Sequence, residues 1–184
     1  MWYILMISMV LLVTGTVGGG QVVSPSRLAE LKKDARVFER IIGEVLRQNF
    51  DNPFAVAADP MAAYLPGYGV VVSFHLRINR GTIRGFRGDL PSPVVREPRS
   101  REEQLEVVRR TMLRALADYG STMKNLGETE RVSIYAHVED RNELDPAKNR
   151  AELVVSSVKA DIDRYLTREI DLDEFRRRVE SLEY

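Results

Sequence analysis

The stretch YLPGYGVVVSFHLRI, residues 64–78, joins a turn to the most regular strand pattern in the chain. Pro66-Gly67 favours a type II turn, because proline fixes the first central torsion angle and glycine accepts the positive φ that the second requires. After the turn, every second residue is a large apolar one, which is typical of a β-strand with one buried face. These apolar positions are Val70, Val72, Phe74, Leu76 and Ile78.

Two more strands are predicted in the second half of the chain. Residues 132–138 alternate apolar and polar side chains in the same way. The charged segment 139–150 then leads to a third strand at 153–158. Because this connection is short enough for a hairpin, we expect the second and third strands to pair antiparallel.

A first helix is predicted upstream of these strands. Ser24-Pro25-Ser26 opens it, because serine is a favoured N-cap and proline is tolerated in the first turn. Apolar residues then recur at helical spacing, as on the buried face of an amphipathic helix, until Asp51-Asn52-Pro53 ends the helix. Residues 54–66 are apolar but irregular and are interrupted by two prolines. We therefore expect this segment to be a connection.

Two more helices are predicted downstream. Ser100 and Glu103 have the spacing of a capping box, in which each side chain bonds the backbone N–H of the other residue. This second helix is expected to stop at Gly127, since glycine is a common C-terminal stop. A closing amphipathic helix is indicated by Leu172, Phe175, Val179 and Leu182.

These elements predict an α+β domain of two layers, with helices on one face of a small sheet. The expected sheet is mostly antiparallel with about three strands, packed by two long helices and a C-terminal helix. Residues 21–184 are expected to form this single domain, which is within the usual size range. A connection rich in arginine, glycine and proline occupies residues 80–100 of the domain.

The N-terminus indicates export. Residues 2–13 are an almost unbroken apolar run, and the first charged side chain is Arg27. An apolar run of about 7–15 residues followed by small residues is typical of a secretory signal peptide. We therefore expect residues 1–20 to be cleaved, although no basic residue precedes the run, and the protein to be periplasmic or extracellular. The alternative is an uncleaved membrane anchor formed by residues 1–23, which is short for a bilayer core of about 30 Å.

The composition excludes several classes of protein. The chain has no cysteine, so it has no disulfides and no thiolate site. An exported chain without disulfides suits a bacterial envelope protein that folds on its core alone. Lys+Arg and Asp+Glu balance at 27 each, so no global charge favours nucleic acid as a partner. The sequence contains neither a nucleophile elbow nor a phosphate-binding loop, and we expect no cofactor.

The chain has two histidines, His75 and His137, and both fall on polar positions of predicted strands. If these strands are neighbours, the two rings share one face with Tyr135 and Ser73. Two histidines with Glu139 or Asp140 would supply enough ligands for an open zinc site. The alternative is a pair of unrelated surface histidines. We expect no metal site here and keep the two histidines as weak candidates.

The connection at 80–100 concentrates arginine, whose planar guanidinium recognises phosphate and carboxylate groups. An aromatic side chain between two of these arginines adds an apolar contact. Such a loop could bind an anionic lipid surface, a polysaccharide or a partner protein, and the alternative is a solvated loop without a ligand. The candidate anion-binding or partner-binding residues are Arg84, Phe86, Arg87, Arg96 and Arg99.

Two tyrosines flank the turn at Pro66-Gly67, and they form a candidate groove. Tyr64 and Tyr68 could offer their rings as stacking surfaces for a ligand. The alternative is that both rings pack structurally beside a tight turn that leads into the strand.

The segment YLPGYGVVVSFHL resembles part of a group of uncharacterised bacterial exported proteins. In those proteins a similar strand precedes a long helix and a closing helix that contains aspartate and phenylalanine. The resemblance covers residues 60–79 and, more loosely, residues 152–180. It implies a bacterial origin and a single domain on the envelope side of the membrane. It transfers no catalytic residue.

The sequence therefore predicts an exported envelope protein that binds a partner, such as an envelope protein or an anionic polymer, and is not an enzyme. One alternative is a metal-dependent hydrolase that uses His75 and His137. Another is a scaffold tethered to the membrane through residues 1–23.

Overall fold

A computed structural model describes residues 24–50, 54–78, 100–140 and 149–184. The predicted signal peptide, the predicted helix end at residues 51–53 and residues 80–99 of the arginine-rich connection lie outside these ranges. The elements are α1 (Pro25–Asn49), β1 (Phe54–Leu65), β2 (Gly69–Ile78), α2 (Arg101–Tyr119), a 3-10 helix (Gly120–Thr122), β3 (Arg131–Asp140), β4 (Arg150–Val158), α3 (Lys159–Leu166), α4 (Leu172–Arg178) and β5 (Glu180–Glu183).

The sheet has five strands in the order β1-β2-β3-β4-β5. β2 and β3 run parallel, whereas the other neighbouring strands pair antiparallel. The expectation of about three mostly antiparallel strands with two long helices and a C-terminal helix is therefore wrong, although the broad α+β class holds. Within the described ranges the sheet is mixed and four α-helices accompany it. β2 and β3 are parallel because α2 lies between them in the chain, and a helical crossover returns the chain to the end of the sheet where it started.

β1 forms in the segment that its prolines led us to expect as a connection. Pro60 is tolerated because β1 is the edge strand, where a missing N–H need not leave a neighbour unpaired. The register of β1 against β2 also shifts between Val56 and Ala58 and again between Ala58 and Met61. These bulges interrupt the alternation of side chains, which is why the sequence pattern of this strand looks irregular.

The turn between β1 and β2 confirms the type II prediction. Gly67 has a φ of 80°, and the N–H of Tyr68 donates to the carbonyl of Leu65 at 3.0 Å. The strands predicted at 70–78, 132–138 and 153–158 are also present, as β2, β3 and β4.

The C-terminal region differs from the single closing helix that the sequence predicts. α3 ends at a turn in which Arg168 has a φ of 62°, and Asp171 then caps α4 by accepting from the N–H of Glu174 at 2.7 Å. After Arg178 the chain pairs with β4 as β5. A spacing of three residues between Val179 and Leu182 suits a helix, but the free edge of β4 offers backbone partners that extend the sheet instead.

α2 is shorter than predicted, because it ends at Tyr119 and not near Gly127. The chain continues as the 3-10 helix and packs closely against α3, because a Cβ atom on Gly120 would lie 3.0 Å from Cδ1 of Ile162. Met123 and Leu126 follow in irregular backbone but are still buried. The apolar pattern therefore predicted their burial correctly and their helical structure wrongly.

Both helix starts are confirmed. The hydroxyl of Ser24 accepts from the N–H of Arg27 at 3.3 Å. The capping box at α2 is complete, because Ser100 accepts from the N–H of Glu103 at 3.2 Å and the Glu103 carboxylate accepts from the N–H of Ser100 at 3.0 Å.

The core lies between the helices and one face of the sheet. α1, α2, α3 and α4 contribute buried apolar side chains to the same cluster as alternate residues of β2, β3 and β4. The largest of these fully buried side chains include Phe38, Met112, Ile134, Leu153, Ile162 and Phe175.

No helix within the described ranges is both long enough and apolar enough to cross a membrane.

Candidate functional site

The candidate site is the face of the sheet that points away from this core, which we call the open face. Its side chains are the residues that alternate with the core positions of each strand, and they form rows because the strands pair in register. Most of them are half-buried or exposed. Three successive rows, each read from β1 to β5, are Ala63-Val71-Ser133-Ser156-Glu180, Met61-Ser73-Tyr135-Val154-Leu182 and Ala58-His75-His137-Glu152-Tyr184.

The two histidines meet near the centre of the open face. His75 on β2 and His137 on β3 are register partners. Their ring centroids are 4.7 Å apart and the ring planes cross at 75°, so the edge of one ring faces the plane of the other. This arrangement is what the sequence predicted for neighbouring strands, and it includes Tyr135 one row away.

Two glutamates flank this pair of rings. Oε2 of Glu139 lies 3.8 Å from Nε2 of His75 and 3.3 Å from Nε of Arg77, which donates a hydrogen bond to it. On the other side, Oε1 of Glu152 lies 3.8 Å from Nδ1 of His137. The centre of the open face therefore holds two imidazole rings in contact with each other, and each ring has a carboxylate close by.

Tyr135 belongs to the same polar centre. Partial burial raises the pKa of its phenol, and a hydrogen bond to the nearby carboxylate of Glu152 raises it further. The phenol therefore stays protonated at neutral pH and donates to Glu152.

A second chain of hydrogen bonds crosses the open face near the turn. The hydroxyls of Tyr68 and Ser133 are 2.7 Å apart, and those of Ser133 and Ser156 are also 2.7 Å apart. Arg131 donates from Nε to Ser156 at 2.9 Å and pairs with Glu180 at 2.8 Å. Because these contacts link the turn with β3, β4 and β5, they hold the polar side chains of this part in fixed positions.

Exposed apolar side chains lie at both edges of the open face. Met61 on β1 is 72% exposed, and Leu182 on β5 is 49% exposed. Leu65 on β1 and Tyr184 after β5 are exposed as well. The open face thus has a polar centre between two apolar edges.

The structure separates some of the candidate ligands that the sequence suggested. Asp140 points into the core side of β3 and is 2% exposed, whereas Glu139 lies beside His75. Within the described ranges, no group of three or more histidine, aspartate or glutamate residues has the geometry to hold a metal ion. The two histidines are therefore adjacent but lack a third ligand among these residues.

The two tyrosines of the candidate groove point to different faces of the sheet. The hydroxyl of Tyr64 donates to Glu130 at 2.7 Å, and its ring packs against the core cluster. Partial burial and this hydrogen bond raise the pKa of Tyr64. Tyr68 contacts Ser133 on the open face. The structure therefore does not bring the two rings together in one groove.

The candidate anion-binding residues Arg84, Phe86, Arg87, Arg96 and Arg99 all lie outside the described residues.

Sequence reasoning missed several residues of the open face. Glu152 lies between the charged segment at 139–150 and the strand predicted at 153–158, so no element is predicted for it, and Leu182 is predicted to be helical. β5 carries no comparable signal, because its sequence ESLE has one apolar residue, all four residues are exposed, and four residues are too few for a pattern to be distinguished from a helix.

Comparison of the chain with protein-family models, with curated proteins and with solved structures finds no match.

Proposed function

We propose that this chain is an exported bacterial envelope protein that binds another protein through the open face of its sheet. The observation that carries this proposal is the asymmetry of the sheet. One face is covered by helices, while the other presents a fixed polar centre between two exposed apolar edges.

The parallel pair at the centre supports a binding role. Parallel strands are usually covered on both faces, because the helices that connect them pack on the sheet. Here the described helices join the core on one side of β2 and β3. The other side carries half-buried side chains such as His75, Tyr135 and His137. A partner that covers this side would complete the packing that parallel strands ordinarily have.

The distribution of exposed apolar side chains also supports binding. Exposed apolar side chains that concentrate on one surface of a domain, unlike single scattered ones, favour an interaction site there. Among the described residues, eight large apolar side chains are exposed, and five of them lie on the open face or its rim. These five are Met61, Leu65, Tyr68, Leu182 and Tyr184.

The charges of the open face favour a protein partner over an anionic polymer. Arg77 is paired with Glu139, and Arg131 is paired with Glu180. Guanidinium groups that are already neutralised attract phosphate or sulfate polymers weakly. A surface with internally satisfied polar groups and exposed apolar edges resembles the mixture of polar and apolar area found at protein interfaces.

Thiol labelling of two single-cysteine variants tests this proposal, and it is clean because the chain has no cysteine of its own. Met61→Cys places a thiol on the open face, and Lys33→Cys places one on the exposed side of α1. If the open face is occupied, Met61→Cys reacts with a maleimide more slowly in intact cells than in dilute purified protein, relative to Lys33→Cys. An unchanged ratio of the two labelling rates in cells and in purified protein would overturn the proposal.

A further inference from the structure

We propose that the partner of the open face is a second copy of this chain, and this inference rests on the proposed function. Two copies would stack open face to open face around a two-fold axis that runs parallel to the strands and passes over β3. In this arrangement Met61 of each copy contacts Leu182 of the other.

The order of the strands makes the open face complementary to itself. β3 is the middle strand of five, and β1 and β5 are the two edges. A two-fold axis along β3 therefore places β1 of one copy over β5 of the other. Met61 and Leu182 occupy opposite ends of the same row. The two-fold axis consequently brings Met61 of each copy onto Leu182 of the other. The contact occurs twice, once in each direction, as an isologous interface requires.

The polar centre is compatible with this stacking. Arg77–Glu139 and Arg131–Glu180 are ion pairs within one copy, so the centre presents little net charge to its own image. The whole chain is also balanced, with a formal net charge of zero at pH 7. Proteins near zero net charge associate with themselves more readily, because no long-range repulsion keeps the copies apart.

The size of the open face suits a dimer. Strands spaced about 4.8 Å apart that rise about 3.3 Å per residue give a sheet of this size a face of about 700 Å². A typical stable interface buries about 800 Å² on each partner. Two sheets that stack in this way lie about 10 Å apart, which lets side chains of the length of methionine and leucine interdigitate.

Sedimentation velocity of the protein purified from the envelope fraction, at concentrations from about 1 to 100 μM, tests the oligomeric state. We expect a reversible dimer. Met61→Glu and Leu182→Glu should each raise its dissociation constant at least about tenfold, because a carboxylate would face an apolar contact. Leu166→Glu is the matched control, since Leu166 is 59% exposed on α3 and away from the open face. It should leave the dissociation constant unchanged.

A crosslinking experiment tests the direction of the two-fold axis. Met61→Cys protein is mixed with Leu182→Cys protein and treated with a short bis-maleimide, which can span sheets about 10 Å apart. The mixture should give much more crosslinked dimer than either variant alone. Crosslinks within the Met61→Cys sample alone would instead indicate an axis perpendicular to the strands and would overturn the proposed arrangement.

The outcomes separate this inference from the proposed function. A chain that is monomeric at all these concentrations, or a dimer that neither Met61→Glu nor Leu182→Glu weakens, would overturn the inference. If Met61→Cys is nevertheless protected in cells, the proposed function stands with a different protein as partner. If the chain is monomeric and Met61→Cys is not protected in cells, both proposals fail.

Discussion

Among the glycines of the described ranges, Gly69 has the closest backbone neighbour. It has a φ of 135°, and a Cβ atom there would lie 2.0 Å from the carbonyl oxygen of Arg131. The N–H of Arg131 also donates to the carbonyl of Tyr68 at 2.8 Å, where the parallel pairing of β2 and β3 begins. Gly69 therefore allows two backbones to come close at the start of the central pair of strands.

Gly69→Ala should lower the free energy of unfolding by at least about 2 kcal/mol, because it combines backbone strain with a steric clash. Gly67→Ala is the matched control. Gly67 also has a positive φ of 80°, but nothing lies within 4 Å of its Cβ position, so only strain of about 1 kcal/mol is expected. Urea unfolding followed by circular dichroism measures both values. Equal losses for the two variants would contradict the close approach at Gly69.

Tyr135 makes the free energy of unfolding depend on pH in the alkaline range. Its pKa is raised above the ordinary value of 10.0 by burial and by Glu152. The folded chain therefore holds the phenol proton more tightly than the unfolded chain does. The resulting stabilisation is fully present below the unfolded pKa of about 10 and is lost as the pH rises through the folded pKa.

Tyr135→Phe should accordingly reduce the loss of unfolding free energy between pH 9 and 11, since phenylalanine has no proton to lose. Urea unfolding at several pH values measures the slope of unfolding free energy against pH. At pH 7 the difference in unfolding free energy between wild type and variant reports the lost hydrogen bond. The change of this difference at higher pH is measured relative to that value. A slope equal to that of wild type would show that Tyr135 titrates alike in the folded and unfolded chain.

Among the secondary-structure elements, α1 and α2 are each stabilised by a serine N-cap that the sequence predicts. Ser100→Ala removes one half of the capping box at α2 and should cost about 1 kcal/mol of unfolding free energy. Glu106→Ala is a suitable control, because Glu106 is exposed on the same helix and pairs with Arg109 within one turn. Such a pair contributes at most about 0.5 kcal/mol. Thermal unfolding of both variants should show a clearly larger decrease for Ser100→Ala.

α4 is short, and its place in the fold depends on one aromatic side chain. Phe175 is fully buried and lies 5.3 Å from the ring of Tyr165, centroid to centroid. Phe175→Ala should destabilise the protein by about 3–5 kcal/mol, the usual range for removal of a buried phenylalanine. Leu166→Ala, at an exposed position on the neighbouring helix, should change stability by less than about 0.5 kcal/mol. Guanidinium unfolding distinguishes the two.

For the whole molecule, the cellular location is the first property to test. If residues 1–20 are a signal peptide, the exported protein should begin at Gln21. Mass spectrometry of the protein purified from envelope fractions measures this directly. Intact Met1 in a membrane fraction would favour the tethered scaffold, and intact Met1 in the cytosol would contradict export.

Much of the architecture could be predicted because it follows from local patterns. The alternation in β2, β3 and β4, the helix caps at Ser24 and Ser100 and the turn at Gly67 each depend on residues close together in sequence. The contact of His75 with His137 was predicted conditionally, since the side of each strand on which a side chain lies follows from alternation. Whether the two strands are neighbours does not.

Local sequence patterns predicted the buried faces of β2, β3 and β4 and the N-termini of α1 and α2, because burial and capping there depend on short-range periodicity. The places of β1 and β5 at the edges of the sheet depend on long-range contacts, since Pro60 and the four residues of β5 form strands where a neighbouring strand offers backbone partners. The same holds for the open face. His137 and Glu152 share one row and Leu182 lies in the next, and only the pairing of three separate strands places them there.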